Sequence, residues 1–198
     1  MGHHRYRFAH VVLAAAFALV VWLSACIQPA GETPRAFLSP LGRNNVYFPI
    51  AANSPCLRTP AAAQFFALLA ADGRQQRSEW HCNRFLVQAA QVRAESLATG
   101  GYWAHCDPAG VCPNTVARAA GCKLPSSYGN GNQIESLVAG PSVVEIAYAA
   151  VTSSADHARH LFGQNEFFRG QADYGIAVLN APGSVWGVYY VIMIGTCE

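Results

Sequence analysis

The chain has 198 residues, 52% of them hydrophobic and 12% charged, with a formal net charge of +2 at pH 7. Arg5 and Arg7 account for that excess, and the remaining basic and acidic residues balance. This excludes the basic face that nucleic acid needs and the low hydrophobicity of a disordered chain, and it leaves room for one domain with a proper core behind a distinct N-terminal segment.

In that segment residues 1–7 are basic, residues 8–23 are almost wholly apolar, and Leu23-Ser24-Ala25-Cys26 follows. A charged start, an apolar stretch and a small-residue cleavage site are the parts of a secretory signal. The apolar stretch is shorter than the roughly 20 residues of a bilayer span, so a cleaved signal is preferred to an uncut anchor. The ending resembles a bacterial lipobox, which implies that residues 1–25 are a lipoprotein-type signal and that Cys26 carries acyl chains. Such chains would hold the exported protein on the membrane, at the cell surface or in the periplasm. Residues 26–53, with Pro29, Gly31, Pro34, Pro40 and Gly42, read as a tether. Within it, residues 45–51 form a candidate edge strand, kept from a sheet centre by Pro49.

Residues 54–198 make up the domain. Residues 60–71 are rich in Ala and Phe and predict a helix stopped by Asp72-Gly73. Residues 83–99 predict a second, because Phe85, Leu86, Ala89, Ala90, Val92, Arg93 and Leu97 recur at spacings of three and four. Its alanine-rich face invites close approach by another element. Gly100-Gly101 ends it, and Tyr102-Trp103-Ala104-His105 follows. A short helix is expected at 116–120 and a polar loop at 126–132. Ser142-Val143-Val144-Glu145 reads as a capping box opening a helix that runs to Val151. Ser153 or Ser154 then ends this helix and caps the next, which holds His157 and His160. Residues 175–179 and 185–194 read as strands around the hairpin signal Asn180-Ala181-Pro182-Gly183. The second is a nearly continuous apolar run, as expected of a strand covered on both faces, with Tyr189 and Tyr190 on opposite sides. The pattern predicts an α+β fold, a sheet between helical layers.

With Cys26 set aside, Cys56, Cys82, Cys106, Cys112, Cys122 and Cys197 remain. An even count in an exported domain points to disulfides, and six cysteines allow fifteen pairings. We favour Cys56 with Cys82, Cys106 with Cys112, and Cys122 with Cys197. The last would contribute about 4 kcal/mol on the chain-entropy model. A cysteine zinc site is the weaker use, since no CxxC pair occurs.

Three side chains can bind a metal or move a proton: His105 after an aromatic pair, Glu135 after a Gly/Asn-rich loop, and His157 after a Ser-rich helix end. Such scattered residues are gathered by a fold. Arg93-Ala94-Glu95 running into Gly101-Tyr102-Trp103-Ala104-His105, then Asp107-Pro108-Ala109-Gly110, Ile134-Glu135-Ser136-Leu137-Val138-Ala139-Gly140 and Ser154-Ala155-Asp156-His157 occur in that order. In this order the motifs resemble the CAP superfamily, the cysteine-rich secretory, antigen-five and pathogenesis-related proteins, in its bacterial SCP-like form. The resemblance covers about residues 60–198. It implies a three-layer α-β-α sandwich with a central, mainly antiparallel sheet, and a cleft in which His105, Glu135 and His157 converge and hold zinc or another divalent cation. Departures from the family pattern are Ile134, Ser136 and Ala155-Asp156, and there is no acidic residue between Asp107 and Glu135; Asn114 is a poor substitute for it. These bear on metal affinity more than on the fold.

The resemblance implies a membrane-tethered binding module for a lipid, a small apolar molecule, a cell-wall fragment or a protein. One alternative is a metal-assisted hydrolase with Glu135 as base, which lacks an evident nucleophile and second acid. Another is a disulfide-stapled interaction scaffold in which Glu135 and its histidines only lock loops to the sheet. His160 reads as a surface or packing residue, Ser154 as a helix cap before a nucleophile, and Tyr102 and Trp103 as core or cleft wall.

Overall fold

The computed structural model describes residues 54–198; the signal at 1–25, Cys26, the tether at 26–53 and the candidate strand at 45–51 lie outside the described residues. Helix α1 spans Pro60–Ala71, where Pro60 presets the first turn and Thr59 Oγ1 accepts from the Ala62 amide at 3.1 Å. Strand β1 is the short His81–Cys82. Helix α2, Arg84–Gly100, starts where Asn83 Oδ1 accepts from the amides of Phe85 and Leu86, and it stops at Gly101, whose φ of 63° suits glycine. Helix α3 covers Pro113–Ala119, a turn earlier than the sequence pattern predicts because Pro113 opens it.

Strand β2, Glu135–Ala139, follows. Helices α4 (Val144–Thr152), α5 (Ala155–Leu161) and α6 (Glu166–Arg169) lead to strands β3 (Asp173–Asn180) and β4 (Val188–Gly195). The expected capping box at Ser142 does not form. Helix α4 begins after Val143 without a side-chain cap, and Glu145 instead accepts from Gln64 Nε2 on α1. Strand β4 starts at Val188, not at 185, because the Ala181 amide donates to Gly187 O, Gly187 takes a φ of 73°, and Val185 projects into solvent.

The sheet order is β1-β3-β4-β2, with β3/β4 and β4/β2 antiparallel and only β1/β3 parallel. Both faces are covered. Tyr190, Ile192 and Ile194 of β4 point into a core with α1, α4 and α5, which includes Phe65, Phe66, Leu69, Val151 and Leu161. Tyr189, Val191 and Met193 point the other way, into a core with Leu86, Ala89, Ala90, Leu97 and Ala117 of α2 and α3. This is the helix, sheet, helix layering that the alternation in β4 predicts. The close approach of α2 rests on a strand glycine as well as on the helix alanines: a Cβ added to Gly175 of β3 would lie 2.2 Å from the Val87 nitrogen.

Disulfides join Cys56 to Cys82, Cys106 to Cys112 and Cys122 to Cys197. They are the pairs favoured on the sequence. The first ties the segment before α1 to β1, the second closes the loop after His105, and the third ties the end of the chain to the loop after α3. No helix among the described residues is long and apolar enough to cross a membrane.

Candidate functional site

Strand β2 lies at one edge of the sheet, and its first residue is Glu135. The Asn132 side chain holds it there, accepting from the Glu135 amide at 2.9 Å and donating to its carbonyl at 3.1 Å. The Glu135 side chain points inward and is 0% exposed. A buried carboxylate needs compensation, and Arg93 of α2 supplies it. Its Nε donates to Oε2 at 2.9 Å and one terminal nitrogen lies 3.4 Å from Oε1. The other guanidinium hydrogens go to Tyr102 Oη at 2.7 Å and to the Ala104 carbonyl at 2.9 Å. Burial works against the charge on Arg93, but the hydrogen bonds and charge of Glu135 outweigh it and hold the pKa above its ordinary value.

His105 completes the group. Its Nδ1 is 3.0 Å from Glu135 Oε1. A carboxylate accepts, so Nδ1 donates to it and Nε2 is the ring nitrogen left for the cleft. The bond from Arg93 to Ala104 and the Cys106–Cys112 disulfide fix the loop on either side of His105, and Asp107 Oδ1 accepts from the amides of Ala109 and Val111 within it. On α5, the His157 ring lies across the cleft, with its centroid 6.0 Å from that of His105 at 72°. Burial and, to a lesser extent, the neighbouring His105 push the His157 pKa below 6.5, so it is neutral at pH 7. The fold thus brings His105, Glu135 and His157 into one cleft of about 370 Å³, also lined by Ser136, Ser154 and Asp156.

The donor set decides what this cleft offers a cation. The Glu135 oxygens are already engaged by Arg93 and His105. That leaves the two imidazoles as available ligands, with Glu135 behind His105 as its orienting partner, an arrangement seen around metal-bound histidines. Among the described residues no group of three or more His, Cys, Asp or Glu side chains is arranged to hold a metal.

His160 is a packing residue. It is 4% exposed, its Nε2 donates to the Ile194 carbonyl at 3.3 Å, and its Nδ1 accepts from Ser136 Oγ at 2.8 Å. Burial, reinforced by the Arg77 guanidinium, lowers its pKa to about 3. Asn114 is fully buried away from the cleft, where it clamps the carbonyls of Tyr128 and Gly129 and the Gln133 amide. Ser154 occupies the N-cap position of α5, but its side chain makes no cap bond and faces the cleft.

A second groove of about 340 Å³ continues the first along β2, sharing Ser154 and His157 with it. Trp103 and Trp186, their ring centroids 5.2 Å apart, wall one side, and Ala150 and Val151 of α4 wall the other. Trp103 is therefore cleft wall. Tyr102 is tied to Arg93 and, at 2.7 Å, to Ser96 Oγ.

No family model and no curated protein matches the chain. Its structure is similar to that of an outer surface protein from Borrelia burgdorferi, with a TM-score of 0.50 over 68% of this chain and 90% of that one. The two are 15% identical, so the likeness is one of fold. Arg93 opens one of the sequence motifs, but motif reading gives it no role in the site. Its signal was present: a charge on the buried stripe of α2, between Ala90 and Ala94, requires a buried anion.

Proposed function

We propose that this protein is an extracytoplasmic binding module of the CAP type, exported as a lipoprotein and anchored through Cys26. Its disulfides suit an oxidising compartment, and the fold it shares with a protein named for the outer surface agrees with an extracellular or surface location. The observation that carries the reading is the His105–Glu135 bond, which aims a free imidazole nitrogen into a cleft faced by the second imidazole of His157.

Two imidazoles suit zinc or a similar divalent ion. His105 and His157 would be its protein ligands, while Glu135 orients His105 and Arg93 neutralises Glu135. When bound, the ion would supply a positive centre for an anionic or carbonyl group of a ligand. A hydrolase with Glu135 as base is the weaker reading, because both carboxylate oxygens already have partners in Arg93 and His105.

Zinc titration calorimetry on untagged protein tests the site. Wild type is expected to take up one ion, His105→Ala and His157→Ala to abolish uptake, and Glu135→Gln to weaken it about 10- to 100-fold. Unchanged uptake in both histidine variants would remove the cation from the proposal. Acyl labelling checks the anchor, and a Cys26→Ser variant that still carries label would overturn it.

A further inference from the structure

The antiparallel ladder fixes which backbone groups of β2 look outward. Ile194 N donates to Ile134 O, and Gly140 N donates to Val188 O at 2.9 Å, so the even-numbered residues of β2 face β4. Residues in such a ladder alternate, which turns the N–H and C=O of Glu135, Leu137 and Ala139 away from the sheet. Asn132 satisfies Glu135. Among the described residues no hydrogen bond reaches the outward groups of Leu137 or Ala139.

Leu137, Val138 and Ala139 line the groove walled by Trp103 and Trp186 on one side and by Val151 on the other, with His157 at its end, so the outward edge of β2 runs along it. We infer that this groove takes an extended polypeptide segment of a partner protein, which pairs with β2 as an added strand. The inference rests on the binding-module reading and names the partner class. The complementarity is one of partial charge: donors and acceptors alternate along this edge at the two-residue spacing of a strand, and only another extended backbone matches both. An acyl chain laid over the same edge would strip water from these groups and give them no partner in return. The indole walls then supply contact area for the side chains of alternate residues.

Panning a phage library of random heptapeptides on the full-length protein in detergent, followed by an N-methyl scan of a selected peptide, tests the inference. N-methylation of the residues that face β2 is expected to weaken binding at least ten-fold, and that of the intervening residues to change it little. Ala139→Pro removes one outward N–H without touching the β2/β4 ladder, a placement an edge strand tolerates, and it is expected to lower affinity at least ten-fold, as is Trp103→Ala. Should Ala139→Pro fail to fold, the N-methyl scan on wild type still decides. Binding insensitive to backbone methylation, or no selected peptide alongside saturable binding of palmitate, would overturn it. The zinc titration reads the imidazoles, not the strand edge, so either result can fail alone.

Discussion

Arg93 and Glu135, 42 residues apart in sequence, meet side by side beneath the cleft with Nε 2.9 Å from Oε2, and both side chains are almost wholly buried. The pair joins α2 to the edge strand, and through His105 and Ala104 it also sets the loop between them. It supports the site and places a buried ion pair between α2 and the sheet edge.

Breaking one side of this pair should cost far more than removing both. Arg93→Met leaves a buried carboxylate and is expected to destabilise by about 3–5 kcal/mol, whereas Arg93→Met with Glu135→Leu should recover much of that loss. Urea unfolding of the two single variants and the double variant measures the coupling. Additive losses would mean that the pair is not coupled in the folded protein.

Stability should fall as the solution is acidified from pH 7 to 4.5. The His160 imidazole has an ordinary value of 6.5 and sits at about 3 when buried. Between those values the unfolded chain binds a proton that the native state does not, so stability rises with pH across the window. His157, displaced in the same direction, adds to the slope. At about 1.4 kcal/mol for each pH unit between the unfolded and native values, the effect reaches a few kcal/mol. Urea midpoints measured from pH 7 to 4.5 should decline in wild type and decline less in His160→Gln; equal slopes would assign the dependence elsewhere.

The disulfides should rank by the length of chain they close. Cys122–Cys197 spans 75 residues and Cys106–Cys112 spans 6. Paired serine replacements are expected to cost about 4 and about 2 kcal/mol respectively on the chain-entropy model. Only the second should also loosen His105, seen as line broadening of its imidazole resonances.

Gly175→Ala is expected to lose at least about 1–3 kcal/mol, because its Cβ would run into the backbone of Leu86 and Val87. Gly183→Ala, which has nothing within 4 Å, serves as the control and should change the thermal midpoint little. Similar midpoints for both would contradict the close packing of α2 on β3.

Local signals carried much of the fold. The Ala- and Phe-rich run ended by Asp72-Gly73 marks α1, the spacing from Phe85 to Leu97 ended by Gly100-Gly101 marks α2, and the apolar run ending at Ile194 announces a strand with two covered faces. Strand β2 was harder to read. Its residues Glu135 to Ala139 are buried on both faces and flanked by loops, so they show little alternation and were legible only as part of a motif. The capping box at Ser142 misled because Glu145 finds Gln64 of α1, a partner no local window contains.

The sequence by itself determined the α+β class, the main helices and the late hairpin, because periodicity and turn chemistry act over a few residues; it narrowed the cysteines to fifteen pairings of which one was preferred, and it pointed to the three cleft residues only through a family resemblance. Only the tertiary structure decided what those residues do to one another. It set Arg93 against Glu135, turned His105 so that Nε2 is free, buried His160 against Ser136, and left the outer edge of β2 lining a groove. Each depends on how distant segments pack, since a buried charge or an unpaired backbone group acquires its energy from its surroundings.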